Sequence, residues 1–325
     1  MVGSHLVDFL IENTNWNIYG ICRWRSPIEN IESHIDLINN GNRFSLHYCD
    51  IRDLEALQNI FKEFKFDYVF HLAAQSYPQT SFISPTDTYE TNIIGTQNIL
   101  NCIKSFSPEA IVHVCSSSEV FGRVSKEEVP IKETCRFHPA SPYAISKCGT
   151  DLIGQYFAEA YKLNIQITRM FTHTGPRRGD VFMESSFAKQ IALLENGFIK
   201  GPLKVGNLDS LRTIADVRDA VRAYYLLVTI KPVPGAIYNI GGNYTMTVRE
   251  ILEYLISISK LKNIRYEVDS SRLRPIDADL QVPDMSKFQK KTGWIPLISY
   301  QKTLSDLLDF WRNKVINNNG KFLVR

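Results

Sequence analysis

The sequence predicts an α/β protein, with a doubly wound parallel sheet in the first half of the chain and a smaller mixed α/β lobe after it. Up to residue 172, short apolar runs of strand length alternate with longer segments of helical periodicity. Beyond that point helical patterns dominate, separated by joints rich in Gly and Pro. We therefore expect a Rossmann-like domain over 1–172 and a smaller lobe, interleaved with it, over 173–325.

The first half contains predicted strands at Ile18–Cys22, Phe44–His47, Tyr68–Leu72, Ala110–Ser116 and Ile165–Phe171, and predicted helices at Leu54–Phe64, Asp87–Lys104 and Ser141–Tyr161. The segment 110–115 is apolar at all but one position, which is typical of a strand buried on both faces. In the second half, helices are predicted at Met183–Asn196, Ala215–Val228, Val248–Lys260 and Thr303–Lys314, and short strands at Leu203–Val205, Ile237–Asn239 and Arg265–Val268.

Composition excludes several classes of protein. The 325 residues are 44% hydrophobic and 22% charged, which rules out a disordered or fibrous chain. Lys and Arg (37) against Asp and Glu (34) leave a net charge of +3 without a basic run, so we expect no nucleic-acid partner. No apolar stretch reaches the ~18 residues of a membrane span, and no signal-peptide layout is visible. The six cysteines form no C-x-x-C pair, so we expect reduced thiols, a cytoplasmic location and no metal site.

The first residues resemble the start of the helix that follows a glycine-rich phosphate loop. In a dinucleotide fold, a strand and two more glycines precede that helix, and neither is found before Gly3. Because that strand is central, we expect a gap in the sheet, at a cost of about 1–3 kcal/mol for each backbone group left buried and unpaired. We accordingly expect either the reading frame or the cloned segment to begin about ten residues late, an estimate based on the fold.

Tyr143 and Lys147 form a Y-x-x-x-K motif at the head of a predicted helix. Side chains four residues apart share a helix face, so the ammonium can lie near the phenol. A positive neighbour lowers a Tyr pKa that is about 10 in the free residue, and a phenolate is a general base for an alcohol. By itself the motif fits a plain amphipathic helix better than a catalytic pair.

A hydroxyl cluster gives this motif a context. Ser116, Ser117, Ser118 and Glu119 follow a predicted buried strand, at the edge where doubly wound sheets bind ligands. The hydroxyls can polarise a substrate hydroxyl, and the carboxylate can remove a proton; a solvated turn is the alternative. A hydroxyl cluster some 25 residues before Y-x-x-x-K is much less expected by chance than either motif alone.

Taken together, these motifs resemble the extended short-chain dehydrogenase/reductases that act on nucleotide sugars. The chain is most similar to the GDP-mannose 4,6-dehydratase family and to the related GDP-4-keto-6-deoxymannose reductases. The resemblance runs from Gly3 to about Arg312 and includes HLAAQSYPQTSF (71–82), ETNIIGTQNIL (90–100), SSSEVFG (116–122), SPYAISK (141–147), HTGPRRGDVF (173–182), VGNLDSLRTIADVRDAVRAY (205–224), YNIGG (238–242) and SRLRPIDADL (271–280).

The resemblance implies a nicotinamide cofactor, with NADP favoured over NAD. Arg23 and Arg25 match basic positions that hold a 2′-phosphate, although surface charge is the plain alternative. The other implied cofactor-binding residues are Gly3, Asp50, Ile51, Leu72, Ala73, Ala74, Tyr89, Tyr143 and Lys147, and Asn92 lies in the helix that flanks the cofactor.

On the substrate side, the resemblance implies that Lys189, Arg212 and Arg274 hold a guanosine diphosphate, although each could instead lie on a solvated helix face. Thr172 stands where the family has Asn, which leaves the sugar open between a mannose, a heptose or another hexose. Ser117 replaces a Thr and keeps the hydroxyl. Relatives pair through two long helices, so a homodimer or homotetramer is expected.

The implied reaction is an internal redox dehydration of a GDP-hexose, GDP-mannose being favoured. Tyr143, assisted by Ser117 and Lys147, removes the C4 hydroxyl proton, and Glu119 then removes the C5 proton. Water leaves C6, with a proton from Glu119 or Ser118. The alternatives are a 4-keto reductase or epimerase, which needs no carboxylate at position 119, and a non-catalytic nucleotide-sugar-binding protein.

Overall fold

The structure is a computed structural model and describes residues 1–273 and 280–322. Its strands are β1 (Ile18–Cys22), β2 (Phe44–Tyr48), β3 (Tyr68–His71), β4 (Ile111–Cys115), β5 (Asn164–Met170), β6 (His173–Thr174), β7 (Leu203–Val205), β8 (Leu211–Asp216), β9 (Ile237–Ile240), β10 (Tyr244–Thr247), β11 (Tyr266–Val268) and β12 (Leu280–Gln281). Its α-helices are α1 (Val2–Asn13), α2 (Ile35–Asn39), α3 (Leu54–Glu63), α4 (Pro78–Ile83), α5 (Pro85–Tyr89), α6 (Gly95–Phe106), α7 (Pro142–Tyr161), α8 (Met183–Glu195), α9 (Val217–Thr229), α10 (Val248–Ser257), α11 (Ser286–Thr292) and α12 (Tyr300–Asn317).

A parallel sheet with helices on both faces forms the N-terminal part of the molecule. Its main section has the order β3-β4-β5-β9, and every neighbouring pair in it is parallel. Along β4, Val112 and Val114 lie in the core shared with α3, α6 and α7, whereas His113 packs against Tyr224 of α9 on the opposite face, with the two rings tilted by 37°. Since both faces are covered, the predicted Rossmann-like α/β fold is confirmed.

The sheet is interrupted between β1 and β3. β1 pairs only with β2 and β3 only with β4 among the described strands, and a cleft of ≈ 780 Å³ lies between the two sections. Successive residues of both strands line it, together with Gly3, Ser4 and Leu6 of α1. Near one end of the cleft, the rings of Trp16 and Tyr68 stack with centroids 4.3 Å apart. Two strand edges therefore face each other without a ladder between them.

The predicted helix at Asp87–Lys104 is not continuous. The chain forms α5, then a π-helical turn at Glu90–Ile94, and then α6. The turn contains Asn92, whose buried side chain bonds outside its own helix, and π-helical turns are frequent at functional sites.

The helix predicted from Ala215 begins two residues later, at Val217. Residues 211–216 form β8, and the Asp216 side chain caps the helix by accepting a hydrogen bond from Arg218 N.

The C-terminal part is a mixed lobe, as predicted. β8 is the centre of a small sheet in which it pairs with β6, β10 and β12, and β7 pairs with β11. Helices α8, α10 and α12 enclose a separate hydrophobic core around Trp311, Leu252 and Ile191. β9 runs back into the main sheet beside β5, so this sheet also contains a strand from the C-terminal half of the chain. Within the described ranges, every helix is too short or too polar to cross a membrane.

Candidate active site

The end of β4 carries the hydroxyl cluster. Ser116, Ser117 and Ser118 are all buried directly after the strand. The Ser117 hydroxyl accepts a hydrogen bond of 3.2 Å from the backbone N–H of Glu119 and caps a short 3₁₀ turn over residues 118–120. This turn holds the half-buried Glu119 beside the serines. The predicted hydroxyl and carboxyl groups are thus presented by one rigid strand end.

Helix α7 brings Tyr143 to this strand end. The helix begins at a Ser141 cap, whose hydroxyl accepts a hydrogen bond of 3.0 Å from Ala144 N, with Pro142 in the first turn. The helix packs against the 3₁₀ turn over residues 118–120, directly after Ser117. Burial raises the pKa of Tyr143 well above its usual value, and the charge of Glu119 raises it further. Tyr143, at the head of α7, and Glu119, in the turn after β4, are therefore near enough for the charge of the carboxylate to affect the phenol.

Lys147 lies one turn further along α7. Its ammonium donates a hydrogen bond of 2.8 Å to the backbone carbonyl of Cys115, and burial lowers its pKa. The positive group that lowers the pKa of Tyr143 is Arg178, which follows β6. Sequence reasoning missed Arg178, although it belongs to the PRRG stretch at 176–179. The signal was a pair of arginines at a Gly–Pro turn next to a strand end.

A buried polar network joins α7 to the loop after β3. The Asn92 amide donates a hydrogen bond of 2.8 Å to Ser146 Oγ, and its oxygen accepts one of 2.8 Å from Gln75 N. Beneath it, His71 bonds Thr96 at 2.8 Å, and burial lowers the pKa of His71 to about 3. The imidazole is therefore neutral at physiological pH. The network fixes the segment that contains Ala73 and Ala74.

The predicted cofactor residues lie along the carboxyl ends of β1, β2 and β3. Gly3, Leu72 and Ala73 line the cleft between β1 and β3, and a Cβ at Gly3 would meet nothing within 4 Å. Arg23 and Arg25 are exposed just past β1. The remaining members of this set, Asp50, Ile51, Ala74 and Tyr89, follow β2 and β3 or end α5.

These positions fit a nicotinamide dinucleotide. The Asp50 pKa is lowered chiefly by the hydrogen bond from Arg52, and Arg23 contributes to the same shift. Arg23 is thus near the residue predicted to contact the adenine side. The open surface at Gly3, the exposed arginines and the small residues Ala73 and Ala74 leave room for a cofactor along the sheet edge.

The predicted substrate residues are more scattered. Lys189 forms an ion pair of 2.7 Å with Asp180 and lies over the ring of Phe322. Arg212 is half-buried on β8 and donates a hydrogen bond to Leu211 O. Thr172 is half-buried between β5 and β6, and its carbonyl accepts a hydrogen bond from Ala215 N. Arg274 lies outside the described residues.

Comparison with known proteins identifies the family. The sequence profile described as GDP-mannose 4,6 dehydratase matches residues 1–307. The chain is 30% identical to the GDP-6-deoxy-D-mannose reductase of Pseudomonas aeruginosa over 83% of this chain and 88% of that protein. It is also 30% identical to GDP-mannose 4,6 dehydratase 1 of Arabidopsis thaliana over 94% of this chain and 86% of the relative.

A solved structure agrees with this. The structure of RMD from Pseudomonas aeruginosa complexed with NADPH superposes with a TM-score of 0.79 at 26% identity, covering 92% of this chain and 100% of that one. The extended short-chain dehydrogenase/reductase fold and the nucleotide-sugar dehydratase relationship expected from the motifs are confirmed. The chain is an enzyme of the GDP-mannose 4,6-dehydratase family.

Proposed function

We propose that this enzyme dehydrates a GDP-hexose, GDP-mannose above all, to the 4-keto-6-deoxy sugar with NADP as its cofactor. The observation that supports the proposal is that helix α7, which contains Tyr143 in its first turn, packs against the turn over residues 118–120 that carries Glu119, at the end of β4. A phenol suits removal of a hydroxyl proton, and a carboxylate suits removal of a proton next to a ketone. A reductase or an epimerase needs the first group only.

In the proposed mechanism the protein positions the sugar and moves protons. Ser117 hydrogen-bonds the C4 hydroxyl and Tyr143 accepts its proton. The nicotinamide, when bound, supplies the hydride chemistry that begins and completes the reaction. The C4 ketone acidifies the C5 proton, which Glu119 takes, and the C6 hydroxyl leaves as water after receiving a proton from Glu119 or Ser118. No net oxidation or reduction results.

Several residues would hold the two nucleotides. Arg23 and Arg25 are suited to a 2′-phosphate, which is the reason for preferring NADP. Lys189, Arg212 and Arg274 are proposed to contact the guanosine diphosphate, because arginine binds phosphate oxygens through two parallel N–H groups. For Lys189 this requires an exchange of its Asp180 partner for phosphate. Residues 1–172 are proposed to form the dinucleotide-binding domain, and residues 173–325 the nucleotide-sugar-binding lobe.

A substrate assay tests the proposal. Purified protein supplied with GDP-mannose and NADP should form a 4-keto-6-deoxy product without net consumption of NADPH. The alternative activity is the reduction of a GDP-4-keto-6-deoxy sugar, which the similarity to the Pseudomonas aeruginosa reductase favours. That activity would consume one NADPH for each product molecule and leave GDP-mannose untouched. A panel of GDP-hexoses and GDP-heptoses in the same assay identifies the sugar.

We also propose a homodimer that forms through α7, with a tetramer as its extension. Ile145, Leu152 and Tyr156 lie on one face of this helix and are 46%, 55% and 54% exposed. Ile94, in the neighbouring π-helical turn, is 49% exposed. An apolar face of this kind is stabilised when a second copy covers it.

We further propose a cytoplasmic location. All six cysteines are free thiols, which is typical of proteins in a reducing compartment.

A further inference from the structure

We propose that Arg169 is a positioning residue that fixes the place of Glu119 relative to Tyr143. Arg169 lies on β5 and is buried. Its guanidinium contacts helix α7, the residue that follows the turn over 118–120, and the segment 122–141 that joins the turn to the helix. The inference rests on the proposed function in one respect, the role of Glu119 as the base at C5.

One edge of the guanidinium is bound to α7. Nε and Nη2 of Arg169 donate hydrogen bonds of 2.8 and 3.1 Å to the two carboxylate oxygens of Asp151. A bidentate pair fixes the plane of the guanidinium as well as its distance from the helix. Asp151 lies about two turns after Tyr143 on α7 and is fully buried, so the pair is shielded from water.

The guanidinium also packs on two aromatic rings. Its central carbon lies 5.4 Å from the centroid of the Phe121 ring and 4.6 Å from that of Phe137. Such cation–π contacts are stronger away from water. Phe121 directly follows the turn over 118–120 and is completely buried. Its ring therefore holds the end of the turn that contains Glu119.

The segment between the turn and α7 is held by the same group. Arg169 Nη1 donates a hydrogen bond of 2.6 Å to the carbonyl of Glu133. His138 N donates one of 2.9 Å to the Val120 carbonyl, which brings the segment back against the turn. Gly122 has φ of 56°, and a Cβ there would lie 1.7 Å from the His138 carbonyl oxygen. On this side the turn therefore cannot shift unless the segment moves with it.

Tyr143 has a further support. The ammonium of Lys147, one turn later on α7, bonds the Cys115 carbonyl and holds the head of the helix at the end of β4. This bond does not involve Arg169. A change at position 169 should therefore displace the turn of Glu119 more than the phenol, and should slow loss of water more than oxidation at C4. A displacement of about 1 Å in a catalytic group can reduce a rate about 100-fold.

Hydrogen exchange of backbone amides tests the inference without substrate or cofactor. Arg169→Lys keeps a positive charge beside Asp151, but a lysine has no planar fork to bind two oxygens or to pack on the rings. The amides of Val120, Phe121 and Gly122 donate to carbonyls of residues 117–119. They should exchange at least about tenfold faster in this variant, because the turn opens more often, whereas the amides of α7 should exchange as in the parent.

Arg222→Lys is the matched control. Arg222 on α9 also bonds a buried aspartate, Asp219, at 2.9 Å, and lies 5.8 Å from the ring of Trp294. Loss of its guanidinium should lower the melting temperature but leave exchange at the 118–120 turn unchanged. If Arg169→Lys raises exchange uniformly along the chain, or leaves the turn as in the parent, the inference is overturned, because the role of Arg169 is then structural only.

A single turnover of GDP-mannose connects the inference to the reaction. With Arg169→Lys the ratio of 4-keto hexose to 4-keto-6-deoxy product should rise about 10–100-fold, with KM unchanged. Equal losses of oxidation and dehydration would overturn the inference. If the parent enzyme turns over no sugar nucleotide, the proposed function fails, and exchange at the turn alone decides whether Arg169 positions it.

A second variant guards against misfolding of Arg169→Lys. Asp151→Leu combined with Arg169→Met replaces the buried pair by apolar side chains, a change that often leaves stability unaltered. Because it removes every polar contact of Arg169, it should raise both exchange at the turn and the product ratio at least as much as Arg169→Lys. Parent-like values of both quantities in the folded double variant would contradict the inference.

Discussion

The ammonium of Lys147 lies 2.8 Å from the carbonyl oxygen of Cys115, the last residue of β4. This hydrogen bond joins α7 to the strand from which Ser116, Ser117 and Ser118 follow. Tyr143 is one turn earlier on the same helix, so the bond also holds the head of α7 against the turn that follows Ser117. The helix and the strand end therefore act as one unit, and changes at either should be felt at the other.

Replacement of Tyr143 by Phe should abolish oxidation at C4. The variant removes the proton acceptor but keeps the ring, so we expect kcat to fall by about 10²–10⁴-fold with little change in the melting temperature. Steady-state kinetics and thermal unfolding measure both quantities. Tyr48→Phe, at an exposed position on β2, is the control and should retain full activity. A fully active Tyr143→Phe enzyme would exclude the phenol as the base.

Replacement of Glu119 by Gln should separate the two halves of the reaction. The phenol can still accept the C4 proton, but the C5 proton has no base, so the 4-keto sugar should accumulate without losing water. Mass spectrometry of the sugar nucleotide after a single turnover detects this product. Glu127→Gln, an exposed residue beyond the site, should behave as the parent enzyme. Undiminished dehydration by Glu119→Gln would remove this carboxylate from the mechanism.

The buried ion pair between Asp151 on α7 and Arg169 on β5 should be important for stability. Arg169 Nε lies 2.8 Å from Asp151, whose side chain is 0% exposed. Asp151→Asn leaves an uncompensated buried guanidinium, so we expect a loss of about 3–5 kcal/mol in the free energy of unfolding. Asp209→Asn breaks an exposed pair with Arg249 and should cost less than about 1 kcal/mol. Chemical denaturation distinguishes the two, and equal losses would contradict this ranking.

The sequence predicts an element of this fold well when the residues that stabilise the element are close together in the chain. β1 was predicted with its observed bounds, because a short apolar run between polar segments is visible in the chain itself. The π-helical turn at Asn92 and the strand β8 were missed, since both are stabilised by partners distant in sequence, such as Gln75 and Met246. Arg178 was missed for the same reason, because its place near the end of β4 depends on residues that are distant in sequence.

Glu195 should make the stability of the C-terminal lobe depend on pH. Burial opposes its ionisation, but hydrogen bonds from Arg312, Lys260 N and Ser259 lower its pKa from the ordinary 4.5. A carboxyl group with a lowered pKa contributes stability above its unfolded pKa and loses it as the pH falls through the folded pKa. Glu195→Gln should therefore lower the free energy of unfolding by about 2 kcal/mol at neutral pH. The difference should shrink below pH 4.5 in denaturation curves measured across pH; a constant difference would argue against ionic stabilisation.

A charge on the exposed face of α7 should prevent self-association. Leu152→Glu introduces a carboxylate that would have to be desolvated in a dimer, so sedimentation should give a monomer with an unchanged fold. Leu297→Glu, at a 68% exposed position outside this helix, is the control and should keep the parent mass. If the Leu152→Glu protein sediments as the parent does, the interface lies elsewhere.

The cleft between β1 and β3 has a consequence for handling the protein. The edges of β1 and β3 present backbone amide and carbonyl groups that can form hydrogen bonds with another extended polypeptide. Natural sheets usually protect such edges with charge, proline or a covering loop. The walls include Ile18, Ile21 and Val69. Concentrated or warmed samples should therefore aggregate from this opening first, and a short β-forming segment lodged there would suppress it.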